Sequence, residues 1–220
     1  MMRAFPFWLG VLPLSGCLAV EPRSGESDAK NLWWSLSFVE PTYMKVWVED
    51  TAVEDIKGRM LRRTGGGTAA SDEPAGDAEF ARGWNENVSS GTRGVVGADL
   101  PKRIYVRWQS VVEPQTYRAW VDIPEEARQI LHASVNERCP DRPAQPANYR
   151  AKVYLGLAPG GIVQAWVLDK CMKPIKAARV QADVEPLGPS QGKNEGRYAY
   201  PVSEKSKLYI ERYGIPYGSW

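Results

Sequence analysis

Apolar and polar residues alternate along much of this chain, which is the pattern of β-strands that bury one face. The clearest case is residues 102–123, where two alternating runs flank a proline-containing turn. We therefore predict an antiparallel hairpin in which Trp108 and Tyr117 point inward and Tyr105 and Trp120 point outward. The inward positions of this hairpin are predicted to be Ile104, Val106, Trp108, Tyr117, Ala119, Val121 and Ile123.

Other segments follow the same alternation and predict further strands. A second hairpin is expected across the Ala-Pro-Gly-Gly sequence at 158–161, because proline and glycine favour turns. The pattern indicates about seven strands in total. The additional strands are expected over 34–38, 43–48, 153–157, 162–168 and 178–184.

The segment Pro124–Asn136 breaks the two-residue period. Ala127, Ile130 and Leu131 fall on one helical face, and two acids in the first turn complement the helix dipole. We predict a helix here that packs onto the sheet. The expected fold class is mostly β (α+β): an antiparallel twisted sheet or sandwich-like domain with one main helix, formed by residues 32–220 as a single domain.

The N-terminus predicts export. A short basic start precedes the apolar run Ala4–Leu14, which is too short to span a bilayer and fits the core of a signal peptide. Leu-Ser-Gly-Cys at 14–17 resembles the bacterial lipobox, in which the cysteine carries the lipid. We predict a signal peptide over 1–16 and lipidation of Cys17. The alternative, a buried N-terminal helix, would have to accommodate two prolines and a glycine.

The stretch 17–31 is polar after its first residues and is expected to be a lipidated N-terminus and flexible spacer. Acyl chains such as palmitate on Cys17 would hold the mature protein at a membrane. Since no aspartate follows Cys17, bacterial sorting rules imply the periplasmic side of the outer membrane. The balanced charge, 28 Lys and Arg against 26 Asp and Glu, offers no surface for nucleic acid.

Two cysteines, Cys139 and Cys171, remain once Cys17 is assigned to the lipid. An even pair of cysteines in an oxidising compartment favours a disulfide between them. The alternative is two buried free thiols.

Candidate catalytic and metal-binding residues are few. The single histidine, His132, lies in the predicted helix and is expected to be a half-buried structural residue. The glycines at 65–67 lack the lysine and the preceding strand of a phosphate-binding loop, and no cluster has the spacing of metal ligands. We therefore expect no metal, no cofactor and no enzymatic activity. A glycoside hydrolase that uses only two carboxylates stays an alternative, because the chain contains 26 acids.

The chain is rich in side chains that anchor protein interfaces, with nine tryptophans and ten tyrosines. Aromatic platforms also bind sugars. The Gly- and Ala-rich segment 64–81 is predicted to be a long acidic loop. The candidate partner-binding residues in and after this loop are Asp72, Glu73, Asp77, Glu79 and Trp84.

Six short motifs occur together in this chain. They are Gly83-Trp84, Leu100-Pro101, Trp108-Gln109-Ser110, Tyr117-Arg118, Ile123-Pro124 and Ala158-Pro159-Gly160-Gly161. In combination they resemble a family of proteobacterial lipoproteins whose shared domain has no assigned function. The resemblance covers roughly residues 30–190, and family members often resemble the immunity proteins encoded beside type VI secretion phospholipase effectors, including phospholipase D-like ones. It implies a periplasmic immunity protein that neutralises such an effector, as in a toxin–antitoxin pair.

A physical hypothesis for this role starts from the acidic loop. A phospholipase D-like site has to be cationic to hold a phosphodiester, so the four acids would enter it as phosphate mimics while Trp84 packs the rim. The alternative for this segment is a solvated acidic loop without a binding role. The rival function for the whole chain is an envelope or peptidoglycan-associated lipoprotein that binds glycan through exposed aromatic side chains.

Overall fold

The computed structural model describes residues 34–71, 81–84 and 93–220. The described residues form eleven strands in two sheets and two α-helices. The predicted signal peptide and Cys17 lie outside them. The strands are β1 (Trp34–Val39), β2 (Val46–Asp55), β3 (Met60–Arg62), β4 (Gly67–Thr68), β5 (Arg93–Gly94), β6 (Pro101–Ser110), β7 (Gln115–Asp122), β8 (Ala151–Ala158), β9 (Ile162–Leu168), β10 (Pro174–Gln181) and β11 (Asp183–Val184). The helices are α1 (Glu125–Asn136) and α2 (Glu204–Tyr213).

The strands are arranged as a sandwich of two sheets. The first sheet has the order β10-β9-β8-β1-β5, and the second has the order β11-β7-β6-β2-β3, with β4 also paired to β2. The named strands pair antiparallel except for β1 and β8, which run parallel with Trp34 opposite Ala151. Because β1 and β2 are consecutive but lie in different sheets, the short connection between them crosses the sandwich. The predicted mostly β, sandwich-like fold class is confirmed.

One hydrophobic core fills the space between the two sheets. Trp34 of the first sheet and Trp108 of the second are fully buried in it. The indole Nε1 of Trp34 donates to the carbonyl oxygen of Asp99 at 3.0 Å. The helix α1 adds Ala127 and Leu131 to the same core. Burial of a large side chain of this kind contributes on the order of 2–3 kcal/mol.

The predicted hairpin over 102–123 is confirmed as β6 and β7. Tyr105 pairs with Trp120, and Trp108 pairs with Tyr117. Trp108 and Tyr117 are buried, whereas Tyr105 is half-buried and Trp120 is exposed. The inward and outward faces therefore follow the predicted alternation.

Two predicted strands have different bounds in the structure. The strand expected over 43–48 begins three residues later, as β2 at Val46, and continues to Asp55, past a bulge after Val48 that interrupts the alternation. The strand expected over 178–184 is two strands, β10 on β9 and β11 on β7. The chain changes sheets at Ala182, whose amide donates to the Gly161 carbonyl at 2.8 Å. Ala182 is buried as the alternation requires, so the pattern does not reveal the crossing.

The helices agree with the prediction in part. The helix α1 begins at Glu125, one residue after the predicted start, because Pro124 has extended backbone and forms the N-cap. The second helix, α2, departs from the prediction of one main helix. Its sequence is strongly charged and it buries only Ser206 and Tyr209, which is too little to produce an apolar stripe. None of the described helices is long and apolar enough to cross a membrane.

Glu113 connects the turns at one end of the sandwich, which we call the turn end (residues 111–114 and 158–161). Its carboxylate accepts hydrogen bonds from the Gly160 amide at 2.9 and 3.1 Å and from the Tyr217 hydroxyl at 2.8 Å. Gly161 has a φ of +75°, and a Cβ there would lie 2.9 Å from the Tyr117 ring. The second glycine of the Ala-Pro-Gly-Gly motif is therefore required by the turn and by close ring packing.

Cys139 and Cys171 are joined by a disulfide, with an S–S distance of 2.08 Å. The bond connects the segment after α1 to the turn between β9 and β10, at the end of the sandwich opposite the turn end. The two cysteines are 32 positions apart in the sequence, so the disulfide closes a loop of that size.

Replacing Cys139 by Ala is expected to lower the free energy of unfolding by about 3–4 kcal/mol, because the open chain gains loop entropy when it unfolds. Urea unfolding of the oxidised protein measures this loss. The variant Cys171→Ala and the double variant should lose the same amount, since both residues belong to one bond. Additive losses in the double variant would contradict the disulfide.

Glu40 is a buried carboxyl at the crossing from β1 to β2. Its Oε2 accepts a hydrogen bond from the Val46 amide at 2.7 Å, and Lys45 Nζ lies 3.5 Å from its Oε1. Burial raises the pKa of Glu40 to about 7, although Lys45 and the Val46 amide act in the opposite direction. The folded protein therefore binds a proton at Glu40 at pH values where the unfolded chain has lost it.

The stability of the protein should depend on pH through Glu40. Because its folded pKa of about 7 lies above the ordinary value of 4.5, the contribution is complete below pH 4.5 and is lost as the pH rises through 7. We expect the free energy of unfolding to fall by up to about 3 kcal/mol over that interval. The variant Glu40→Gln has no proton to lose and should show a flatter profile in urea unfolding. Parallel pH profiles for the two proteins would overturn this assignment.

Candidate interaction surface

An outward-facing aromatic pair occupies the outer side of β6 and β7. Tyr105 and Trp120 are cross-strand partners, with ring centroids 5.3 Å apart and ring planes tilted by 53°. Trp120 keeps 37% of its surface exposed. Both residues stand on strands whose opposite faces are buried in the core, so their backbones are held rigidly. A binding partner would meet a preformed aromatic surface.

Arg103 lies against this pair. Its guanidinium carbon is 4.4 Å from the centroid of the Trp120 ring, which is a cation–π contact. Its Nε and Nη2 each lie 2.6 Å from Oε2 of Glu54 on β2, and Lys102 Nζ lies 3.1 Å from Oε1 of the same carboxylate. Hydrogen bonds from Lys102 and Arg103 lower the pKa of Glu54. The carboxylate therefore stays ionised and holds the guanidinium over the indole.

Arg118 extends the surface toward β11. Its Nη1 lies 3.4 Å from Oε2 of the buried Glu185, and 45% of its side chain stays exposed. Its cross-strand partner is Arg107, whose Nε donates to Glu49 at 2.7 Å and whose side chain is mostly covered. We define the aromatic–arginine face as Arg103, Tyr105, Arg118 and Trp120.

The C-terminal part of the chain covers the other half of this sheet. Glu49 Oε1 accepts hydrogen bonds from the Ser190 amide at 2.6 Å and from Gln109 Nε2 at 2.7 Å. Gln109 Oε1 accepts one from the Ala199 amide at 2.7 Å. The outward face of the second sheet is thus divided into a covered half near the turn end and an open half that carries the aromatic–arginine face.

Several buried carboxylates serve the fold. Asp55 and Asp99 share Arg59, whose Nη2 lies 2.8 Å from the first and 2.9 Å from the second. Glu185 contacts Arg118. Glycoside hydrolysis needs two carboxylates that face a substrate between them. Asp55 and Asp99 instead hold a common cation, which is the arrangement of a structural cluster.

A cavity of about 760 Å³ lies between α1 and the turn after β2. His132 lines it and is half-buried on α1, as the sequence predicts. Its charged lining includes an internal ion pair, because Arg128 Nη2 lies 2.6 Å from Glu125 Oε2. Apolar Leu100 and charged Lys102 complete a mixed lining that does not indicate one class of ligand.

Of the five residues predicted to bind a partner, the structure describes only Trp84. The acids Asp72, Glu73, Asp77 and Glu79 lie outside the described residues. Trp84 is described, and its ring meets Trp166 edge-on at a centroid distance of 5.1 Å. A Cβ on Gly156 would lie 2.5 Å from the Trp84 ring, so the absent side chain makes room for it. Trp84 therefore packs on the first sheet and is not part of the aromatic–arginine face on the second.

The alternation in the sequence identifies Tyr105 and Trp120 as outward-facing. The same rule predicts that Arg103 and Arg118 face outward. Arg103 and Arg118 are each two positions from an outward aromatic residue, so they share its face. No comparable local signal in the sequence predicts that the C-terminal part of the chain covers the neighbouring half of the second sheet. It depends on Ser190 and Ala199, which lie 141 and 90 positions from the residues that they contact.

A family model described as "Protein of unknown function (DUF2931)" matches residues 20–218. The chain belongs to this family. No curated protein and no solved structure gives a significant match to this chain. The DUF2931 match includes both sheets, the disulfide and the aromatic–arginine face.

Two tryptophans of the DUF2931 domain should respond differently to truncation. Trp120→Ala is expected to change the free energy of unfolding by no more than about 1 kcal/mol, because the ring is partly exposed. Trp108→Ala should cost roughly 3–5 kcal/mol, since it leaves a cavity in the core. Urea unfolding of both variants tests this contrast. Equal losses would show that Trp120 belongs to the core and not to a binding surface.

Proposed function

We propose that this DUF2931 protein is a periplasmic immunity lipoprotein that binds and neutralises a type VI secretion phospholipase effector, with a phospholipase D-like effector favoured. In this proposal Cys17 carries the lipid and anchors the protein to the outer membrane. The starting point is the resemblance of its motifs to lipoproteins of this kind. The observation that carries the binding role is the outward-facing, partly exposed stack of Arg103, Tyr105 and Trp120.

The composition of this stack supports a role in protein binding. Tryptophan, tyrosine and arginine are the side chains that contribute most often to the affinity of protein interfaces. Glu54 already fixes the Arg103 guanidinium against the Trp120 ring, so a partner would order few additional rotamers. Lys102 and Asp122 are exposed beside the stack and supply the polar rim that such interfaces have.

To neutralise the effector, this surface only has to bind over the entrance of the effector's active site. A protein that covers the entrance of a phospholipase active site excludes the lipid substrate without any catalytic group of its own. A lipid anchor would keep the inhibitor beside the membrane that the effector attacks. Confinement of both proteins to one surface raises their effective concentration and favours the complex.

The acidic segment is a second candidate contact. The acids at 72–79 follow a segment attached to the first sheet, where the Ala70 amide donates to the Phe38 carbonyl at 2.9 Å. The aromatic–arginine face lies on the second sheet. Because the two candidate contacts use different residues, variants can test them separately.

The double variant Arg103→Ala, Trp120→Ala is expected to weaken effector binding at least about 30-fold, the loss typical of an interface hot spot. It should also fail to rescue cells that carry the effector in the periplasm. The effector for both measurements would be a phospholipase that the unchanged protein captures in a pull-down from the same organism. Binding is measured by titration calorimetry and rescue by colony counts.

The matched control is Leu208→Ala, which removes an exposed side chain on α2 that is 66% accessible and outside the face. It should bind and rescue like the unchanged protein. Full rescue by the double variant would reject the aromatic–arginine face as the binding site. A variant with Ala at Asp72, Glu73, Asp77 and Glu79 tests the phosphate-mimic hypothesis in the same assays, and unchanged inhibition would reject it.

The exposed Trp120 ring also favours a second candidate, an envelope lipoprotein that stacks its aromatic side chains on peptidoglycan. Sedimentation with purified cell wall separates the two functions. Loss of sedimentation in the double variant, together with full rescue, would favour glycan binding over immunity.

A further inference from the structure

One end of the sandwich is strongly basic. It consists of residues 137–152, after α1, and residues 169–176, the turn between β9 and β10 with the start of β10, and we call it the cationic end. These segments contain seven Lys and Arg against three Asp and Glu, a net charge of +4, whereas the whole chain carries +2. The remainder of the chain therefore carries 2 − 4 = −2. The basic residues are Arg138, Arg142, Arg150, Lys152, Lys170, Lys173 and Lys176.

The two segments form one surface. The disulfide brings the Cα atoms of Cys139 and Cys171 to 4.8 Å. Arg142 Nη2 donates to the carbonyl oxygen of Cys171 at 3.2 Å. Lys173 Nζ lies 3.8 Å from Asp141 Oδ2 across the same junction. The basic side chains are therefore presented together at the end of the first sheet.

Exposed apolar side chains lie among these charges. Tyr149 is 81% exposed, Met172 is 39% exposed and Ile175 is 38% exposed. The Arg150 guanidinium carbon lies 5.0 Å from the centroid of the Tyr149 ring. A surface that combines exposed aromatic and aliphatic groups with lysine and arginine is typical of proteins that lie on anionic lipid.

The described part of the chain begins at this same end. The first described residue, Trp34, begins β1 and lies opposite Ala151 at the beginning of the parallel strand β8. Cys17 lies 17 positions before Trp34. A lipid on Cys17 would therefore be attached through the cationic end, which would be the part of the domain drawn toward the bilayer.

We infer that the cationic end docks on an anionic phospholipid bilayer. Tyr149, Met172 and Ile175 lie at headgroup level, and the surrounding Lys and Arg side chains contact lipid phosphates. The orientation of the domain rests on the proposed anchoring at Cys17, whereas the docking chemistry is independent of the effector. The aromatic–arginine face points outward from the second sheet, whereas the segments of the cationic end belong to the end of the first sheet, so docking leaves the face open to a partner.

The test uses the mature chain from residue 17 with Cys17→Ser, which removes the lipid so that only the protein surface binds. Sedimentation is measured with vesicles of phosphatidylethanolamine and phosphatidylglycerol and with vesicles of phosphatidylcholine alone. We expect binding to the anionic vesicles to be at least about tenfold stronger and to weaken with added salt. Equal binding to both compositions, or no binding to either, would overturn the inference.

Charge reversal localises the effect. The triple variant Arg138→Glu, Lys173→Glu, Lys176→Glu should bind anionic vesicles at least about tenfold less. The matched control is Lys193→Glu, Arg197→Glu, Lys207→Glu, which makes the same change in net charge at exposed positions outside the cationic end. Equal weakening of vesicle binding in both variants would show that only the net charge of the protein matters. That result would reject a specific docking surface.

A separate substitution tests the apolar part of the surface. Tyr149→Ala should weaken vesicle binding several-fold at high salt, where the electrostatic contribution is screened. Unchanged binding would remove Tyr149 from the docking surface. Urea unfolding midpoints equal to that of the parent chain show that the variants are folded.

Failure here is distinguishable from failure of the proposed function. The triple variant retains the aromatic–arginine face and should still bind the effector in solution. Loss of vesicle binding with intact effector binding is the expected result. Intact vesicle binding in a protein that never binds or neutralises the effector would reject the immunity role and leave the docking surface standing.

Discussion

Burial of Trp108 and Tyr117 between the two sheets determines what β6 and β7 present on their opposite face. Successive side chains on a strand point to opposite sides of the sheet, so Tyr105 and Trp120 face outward as long as their neighbours occupy the core. A shift of one residue in register would bring arginine side chains into the core, where an unpaired charge is very unfavourable. The aromatic–arginine face is therefore determined as strongly as the core itself.

A buried carboxylate explains why only half of this sheet is open. Glu49 lies beneath the C-terminal segment and binds Arg107, Gln109 and the Ser190 amide. A charge removed from water needs such partners, and the segment that supplies one of them also covers the surrounding surface. Glu54 meets the same requirement differently, because its partners Lys102 and Arg103 are neighbours within the sheet. That half of the sheet needs no cover and stays accessible.

The features that could be predicted from the sequence are those with a local cause. The two-residue period located β6, β7 and their faces, and the proline with two following acids located α1. Sheet membership has no local cause, since β1 takes a parallel partner more than 110 positions away and β10 and β11 divide one alternating run between two sheets. The pairing of Cys139 with Cys171 follows from the count of cysteines and not from any knowledge of their separation.

The candidate site shows the same division. The outward direction of Tyr105 and Trp120 can be predicted from the sequence. The ion pair of Arg103 with Glu54 joins two residues 49 positions apart, so only the fold specifies it. The cationic end is similar, because its two basic segments are ordinary charged stretches until the disulfide and the strand order bring them together. Local pattern therefore predicts which side chains are exposed, and long-range pairing decides which of them form a surface.

The two proposed surfaces also constrain each other through the direction of the strands. The cationic end lies where β8 and β10 begin, and the aromatic–arginine face lies along the side of β6 and β7. If the end rests on lipid, the side stands roughly upright from the bilayer and faces the surrounding compartment. A phospholipase approaching the same bilayer would then meet Trp120 from the side, without displacing the domain from the membrane. The proposed docking and the proposed neutralisation are thus geometrically compatible, because one uses the ends of the strands and the other uses their faces.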